Sequence, residues 1–559
     1  MYSFCGKKWA RAPEISDLAE LQKIILQNRK LDSHEKIEKF LSPSFADLHD
    51  PFLMRGAKIA VEKILEKIRK KERILIFGDF DVDGISATTI LVAALREIGA
   101  KISFRIPDRN KNSHGLKKFL IDEIATKNVK LIVTVDCGIN DCAEISHAKN
   151  LGIETIVTDH HESKKNFFPH DAIAVLNPKQ KNCNYPEKNL SGAAIAFKLI
   201  SAIAEKFFEK NPEKIALFLE KFLEIAALGI VADCVEMTGE NRILAKFGIE
   251  KLKFTKWDGI QKIFEKTGTE IENINEETIG FLLAPRLNAA SRIDDVYVAA
   301  NLFLGDESQN FARVEKLENL NEIRRELTEN AVKKSLPQLQ KNSPLNFFFD
   351  ENWSPGILGL LAGRFAEKTE KPTIAATIRD DGKLAASCRA PGNFSIIEAL
   401  QNCAEFLENF GGHRGAAGFL TDPKNKKKIH ENLENFFKKN PQKKIPQPID
   451  AFVSPEILNF ELADFLNFLR PFGDQNPAPI FGLKSATVVD FAPLGKNKNH
   501  AKIWLEKNGQ NLEFILFFGE TILQKIAHEQ RVDAIFSVSQ NFFRGKKKLQ
   551  FLLRDLREI

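Results

Sequence analysis

The sequence predicts an α/β protein with a doubly wound parallel sheet, a long helical connector, a second α/β domain and a β-rich C-terminal domain. Three observations carry that prediction. Between Arg73 and Val231, short apolar runs alternate with helix-patterned stretches, the signature of a parallel sheet covered by helices on both faces. The charged stretch from Glu315 to Lys334 reads as one long helix between lobes. After Ile449 the chain turns to short alternating runs, as at 514–518 and 534–538.

In chain order, residues 1–70 read as a helical preface. The strands of the first sheet are expected at 74–77, 102–106, 131–135, 154–158 and 172–176. Helices are expected at 86–98, 115–125 and 142–150, with Gly99 and Gly152 where helix stops belong. The first domain spans 71–235, and a mostly helical region with the connector occupies 236–344. The second α/β domain, 345–440, contains two glycine-rich turns. The Lys- and Pro-rich stretch 438–448 reads as a linker, and 446–559 form the last domain.

Length and composition bound the function. A chain of 559 residues allows about three to five domains, which excludes a peptide hormone or a lone binding module. Hydrophobic residues at 43% and charged residues at 28% exclude a disordered or collagenous chain. No apolar run approaches the roughly 20 residues of a membrane span, and the N-terminus lacks a signal-peptide core, so a cytoplasmic protein with no membrane partner is expected. The net charge of +6 is small for this length, so any polyanion-binding surface must be local. Seven scattered cysteines lack disulfide or zinc spacing, and reduced thiols are expected.

The chemistry gathers at strand ends. Gly78-Asp79-Phe80-Asp81-Val82-Asp83-Gly84 places three carboxylates where the first strand leaves the sheet. Such crowding is costly without a cation, because like charges repel and raise one another's pKa. A calcium loop would need Glu at its twelfth position, which is Ile90, so the alternatives are a metal site or an acidic surface turn. Asp136 follows the third strand, Asp159-His160-His161 follow the fourth, and Asp233 follows an apolar helix from which it can reach back. Open α/β sheets hold ligands at this carboxyl edge. Oxygen-rich ligation with imidazoles suits Mn²⁺ or Mg²⁺, with Zn²⁺ a further alternative, better than it suits a thiolate-selecting metal, and two ions are the economical arrangement for so many ligands.

Together Gly78–Gly84, Asp136-Cys137-Gly138 and Asp159-His160-His161 resemble the motifs of the DHH phosphoesterase superfamily. Pro107-Asp108-Arg109, His114-Gly115-Leu116, Leu190-Ser191-Gly192-Ala193, Gly239-Glu240-Asn241-Arg242, Pro285-Arg286-Leu287-Asn288-Ala289 and Ser291-Arg292 extend the resemblance to RecJ-type single-strand-specific 5′ exonucleases. Trp353-Ser354-Pro355-Gly356, Ala386-Ser387-Cys388-Arg389 and the glycine-rich string 411–418 resemble the DHH-associated domain. Phe472-Gly473-Asp474-Gln475-Asn476-Pro477 resembles the start of that family's OB domain.

The resemblance implies hydrolysis of single-stranded DNA from its 5′ end, releasing 5′ mononucleotides in recombination and repair with two Mn²⁺ or Mg²⁺ ions. It implies metal ligation by Asp79, Asp81, Asp83, Asp136, His160 and Asp233, with Asp136 bridging. His161 is either a ligand or a group that meets the scissile phosphate, and Asp159 orients an imidazole from behind. Arg109, Arg286, Ser387 and Arg389 match phosphate-contacting positions, and His413 a substrate contact. Where the family has Tyr, this chain has His114, which alters the contact to the terminal base. The implied partners are a single-strand-binding protein and a RecQ-type helicase, with the chain a monomer. The competing readings are a small-substrate DHH phosphoesterase and a non-catalytic single-strand-binding scaffold. Every proposed ligand lies between Asp79 and Asp233, so the C-terminal domain is expected to leave the metal site untouched.

Overall fold

A computed structural model describes residues 3–109, 114–164, 167–340, 342–441, 445–495, 498–543 and 545–559. In the first lobe five parallel strands lie in the order Lys101–Arg105, Arg73–Gly78, Val129–Val135, Glu154–Thr158 and Ala174–Leu176. The first strand in sequence is therefore flanked by the second and third, and the winding direction reverses beside it. A crevice opens at the carboxyl end of such a switch point.

Helices cover both faces. Ala57–Arg69, Val82–Glu97, Gly192–Phe207 and Leu223–Ala232 share one apolar core with the sheet, and Lys118–Ala125 and Cys142–Asn150 close the other face. The helix after the first strand starts at Val82, four residues before its expected start, because the Asp81 carboxylate caps it by accepting from Gly84 N–H at 3.0 Å. Asp83 thus sits in a helical first turn and not in a loop.

The connector is the helix Asn310–Ser335, about 39 Å long at 1.5 Å per residue. Val314, Leu317 and Leu320 are buried in the first core and Ala331 in a separate one, while no residue between Asn321 and Ala331 is buried. The helix therefore bridges two cores. In the second lobe the strand order is Asn409–Gly412, Ala416–Thr421, Leu384–Arg389, Thr373–Ile378 and Asn346–Phe349, with Leu358–Thr369 on one face and Ile396–Gln401 and Lys426–Lys439 on the other. The last of these helices runs into the start of the expected linker, of which residues 442–444 lie outside the described part.

At the C-terminus, Phe481–Leu494, His500–Lys507, Gln510–Leu516, Lys546–Glu558 and Arg531–Phe543 pair in succession, and the first pairs again with the last to close a barrel. Phe481, Phe514, Phe536 and Phe551 fill it.

The expected preface over 1–70 is not a unit. Glu14–Ile15 adds in parallel to Ala451–Val453, and Ile15, Leu21 and Ile25 are buried with Leu462, Leu466 and Leu469 in the barrel's core. From Met54 onward the same segment packs instead on the first lobe. The reason is apolar complementarity across the whole chain: neither half carries enough apolar surface to form a core alone.

Candidate metal centre

The tips of the first, third and fourth strands converge. Asp83 is 2% exposed, and its carboxylate accepts from Gly192 N–H at 2.6 Å and Ala193 N–H at 2.9 Å, at the positive end of the helix Gly192–Phe207. Two glycines make room: a Cβ on Gly192 would lie 2.7 Å from the Asp136 Cβ, and one on Gly229 would lie 2.5 Å from Asp83 Oδ1. Asp136 occupies a left-handed conformation, φ 59°, just past the third strand, and its N–H donates to Thr158 C=O at 3.0 Å.

His160 is the hub. Its Nε2 lies 3.1 Å from Asp136 Oδ1, 3.6 Å from Asp233 Oδ2 and 4.0 Å from Asp83 Oδ2. Three overlapping sets have donor atoms within 4.8 Å of one another: Asp79 with Asp81 and Asp136, Asp83 with His160 and Asp233, and Asp136 with His160 and His161. Burial, reinforced by neighbouring carboxylates, pushes the Asp83 carboxyl up to about 7 and holds Asp136 and Asp233 well above the usual carboxylate range. Burial also keeps His160 neutral, with its pKa well below the ordinary imidazole value. Asp79 Oδ1 and Asp136 Oδ1 are buried and accept no well-aligned hydrogen bond. Carboxyl oxygens without a hydrogen-bond donor beside a neutral imidazole are the donor set a divalent cation needs, so the residues fit the implied metals.

Asp159 serves His161 and not His160. Its Oδ1 accepts from the His161 N–H at 3.0 Å and lies 2.8 Å from His161 Nδ1, while Oδ2 accepts from Ile139 N–H at 2.9 Å. Burial pulls the His161 pKa down, but the adjacent Asp159 carboxylate outweighs it and the imidazole stays above its usual value. His114 Nδ1 is 3.0 Å from Asp79 Oδ1. There too burial pulls downward, and Asp79 outweighs it and raises the imidazole to about 9. His114 meets His161 edge-on at 5.3 Å between ring centroids. From the second lobe, His413 stacks on His161 at 5.8 Å with the rings 12° apart, so the two lobes meet at the site.

Beside the acids lies a set of arginines. The Arg109 guanidinium is 4.8 Å over the Phe80 ring, Arg292 donates to Gly356 C=O at 2.9 Å, and Arg389 donates to Ser387 Oγ at 3.2 Å and Cys388 C=O at 2.9 Å. Burial, then the charges of Arg109, Arg389 and Arg324, pull Arg292 well below its usual pKa. A Cβ on Gly359 would lie 3.0 Å from Arg389 Nη2 and 3.2 Å from Ser387 Oγ, so that glycine leaves the pair its space.

Arg286 stands apart from this set. Its Nε binds Glu318 on the connector at 2.5 Å and its Nη1 donates to Leu282 C=O, whereas Arg292 lies within reach of the charges of Arg109 and Arg389. The motif Ser291-Arg292 was visible in the sequence, but not which arginine faces the site. Lys179 was also missed. It follows the fifth strand at the same carboxyl edge, and its charge acts on Asp233, His160 and His413.

Fold and site define a two-lobed protein of the DHH class, and the family models agree: "DHH family, N-terminal domain" matches residues 73–230, "DHHA1 domain" 342–439 and "RecJ OB domain" 449–555. The chain is similar to the single-stranded-DNA-specific exonuclease RecJ of Bacillus subtilis, 31% identical over 541 residues covering 95% of this chain and 67% of that one. It is 30% identical to the RecJ of Escherichia coli, with 90% of each chain covered. A crystal structure of RecJ from Thermus thermophilus in complex with Mn²⁺ matches with a TM-score of 0.81 and 26% identity, covering 98% of this chain and 80% of that one. The chain belongs to the RecJ family.

Proposed function

We propose that the protein hydrolyses single-stranded DNA from the 5′ end, releasing 5′ mononucleotides during recombination and repair. The observation that carries this reading is the overlap of three acid and imidazole sets through Asp136 and His160, directly beside the half-buried Arg109, Arg292 and Arg389, which form no ion pair among the described residues. Asp79, Asp81, Asp83, Asp136, His160 and Asp233 would hold two Mn²⁺ or Mg²⁺ ions. Bound there, such ions make a nucleophile available near neutral pH and take up charge on the leaving oxygen.

The chain's own residues do the rest. Asp136 belongs to two of the three sets and would be the carboxylate shared between the ions. His161, with Nδ1 held by Asp159, keeps Nε2 to carry a proton toward the departing 3′ oxygen. Arg109, Arg292, Ser387 and Arg389 hold the terminal phosphate, for which a planar guanidinium fork is suited. His114 and His413, both against the His161 ring, frame the terminal nucleotide. The C-terminal barrel guides the strand beyond the first nucleotides.

This reading places the enzyme in the cytoplasm as a monomer, working with a single-strand-binding protein and a RecQ-type helicase. Among the described residues no helix is long and apolar enough to cross a membrane. The test is a single strand labelled at the 5′ or the 3′ end and incubated with Mn²⁺, Mg²⁺ or EDTA. Mononucleotides should appear from the 5′ label first and EDTA should stop the reaction. A ladder shortening from the 3′ end, or turnover in EDTA, would overturn the reading.

A further inference from the structure

Two motifs are left over once the reaction is assigned: residues 239–242 and 472–477. The structure brings them together around the short segment that follows Asp233. Asp233 ends its helix, Cys234 turns through a left-handed conformation with φ 57°, and Glu236 then pairs in a parallel bridge with Asp474 of the C-terminal domain. Met237 N–H donates to Asp474 C=O at 2.8 Å. Only two residues separate a metal-ligand candidate from a backbone clamp supplied by another domain.

The clamp is itself braced. Gly473 and Asn476 exchange backbone hydrogen bonds at 3.0 and 3.2 Å, which closes a tight turn. The Asn476 side chain, 1% exposed, donates to Leu469 C=O at 3.0 Å and Pro471 C=O at 2.8 Å and accepts from Arg29 Nε at 2.9 Å. Gly473 presses on Met237, where a Cβ would stand 3.0 Å from the Met237 Cβ. On the other side, Arg242 donates to the carbonyls of Phe40, Phe468 and Arg470, and Glu276 accepts from Arg470 Nη1 at 2.7 Å and Phe472 N–H at 3.0 Å. Residues 239–242 and 472–477 therefore form one interdomain clasp with the Asp233 segment in its grip.

We propose that the turn of residues 473–476 is a positioning element for Asp233, so that the docked C-terminal domain completes the metal site it was expected to leave untouched. The inference rests on the two-ion reading above. A carboxylate on a free loop would sample many positions and lose affinity to its own disorder, whereas one held two residues from a strand bridge is pre-oriented. Removing the support behind a metal ligand typically weakens the metal by about 10- to 100-fold.

The test uses the full chain and three variants. Gly473→Ala pushes the turn off Met237, Asn476→Ala removes its bracing, and Asn273→Ala cuts a different contact between the same domains, the pair of bonds from the Asn273 side chain to the Phe542 backbone. Mn²⁺ affinity is read by calorimetric titration, and protection of the Met237 amide by hydrogen exchange without metal. Gly473→Ala and Asn476→Ala should expose the Met237 amide and weaken one Mn²⁺ ion by about tenfold or more while sparing the other. Asn273→Ala should change neither. Unchanged Mn²⁺ affinity in Gly473→Ala overturns the proposal, as does an equal loss in Asn273→Ala, and Gly473→Ala decides the matter if Asn476→Ala does not fold. A wild-type stoichiometry below two ions counts against the two-ion reading, and the ratio of wild-type to variant affinity decides the role of the turn in either case.

Discussion

On the carboxyl edge of the first sheet, Asp79, Asp81, Asp83, Asp136 and Asp233 crowd together, and beside them Arg109, Arg292 and Arg389 crowd with the opposite sign. Asp79, Asp83 and Asp136 are buried and the arginines half-buried, and the two groups carry the strain differently. A carboxylate can take a proton when no cation is present, and Asp83, Asp136 and Asp233 are shifted in that direction. A guanidinium cannot shed its proton in a protein, so the arginines lean on the Phe80 ring and on the carbonyls of Gly356 and Cys388 instead. The acid face can therefore fold uncharged and be charged by its metal. The arginine face is a standing demand for an anion.

Asp136→Asn attacks the acid side at its shared member and should produce the largest effect, a fall in turnover of about a thousandfold or more, since the ion pair loses its common ligand. Single-strand binding, measured by fluorescence anisotropy, should be nearly unchanged. Turnover above a tenth of wild type would show that Asp136 does not bridge. Arg389→Ala attacks the other side: the preference for a 5′-phosphorylated over a 5′-hydroxyl strand should shrink by about 10- to 100-fold, because charge-assisted bonds to the terminal phosphate are lost. An equal loss on both substrates would mean that Arg389 holds the fold and not the phosphate.

His161 of the first lobe and His413 of the second stack on one another, and the connector joins the two lobes. If the substrate threads between the lobes as one backbone with unstacked bases, blunt duplex should be cut at least about tenfold more slowly than a single strand of equal length. Comparable rates on a gel would contradict that geometry.

The smallest effect isolates the energetic half of the contrast in an acid without ligand partners. Glu224 is 6% exposed, its Oε2 accepts no hydrogen bond, and burial raises its carboxyl from 4.5 to about 7. A raised carboxyl means that the folded state holds the proton more tightly. The cost is absent below about pH 4.5, grows as pH rises toward 7 and is complete above it. Glu224→Gln should thus be about 1–3 kcal/mol more stable than wild type at pH 8 and close to equal at pH 4.5. Denaturant midpoints at both pH values check this, and a gain of the same size at both would rule out titration as its cause.

Much of the acid side was legible because its chemistry is local. Strand ends, alternating acids and the Gly78–Gly84 run are short-range patterns, and the carboxyl edge of a parallel sheet collects whatever follows each strand. The arginine side was less legible. Arg286 and Arg292 stand six residues apart on the helix Ala284–Ile293, about 240° around its axis, so packing alone selects the one that faces the site. The same holds for Asp159, which either histidine could have claimed and which the turn gives to His161.

By itself the sequence determined the first sheet, the second α/β domain, the connector, a β-rich C-terminal domain and the acids and imidazoles at the strand tips, since periodicity and motif spacing act within a few residues along the chain. Tertiary structure alone decided that Arg286 pairs with Glu318 while Arg292 reaches Gly356, that the first forty or so residues complete the C-terminal core, and that Asp474 pairs with the segment after Asp233. Glu14–Ile15 and its partner strand, and likewise Glu236 and Asp474, are joined across hundreds of residues. Such pairings depend on which apolar faces and backbone edges remain uncovered once the local elements have formed, and no local pattern records that.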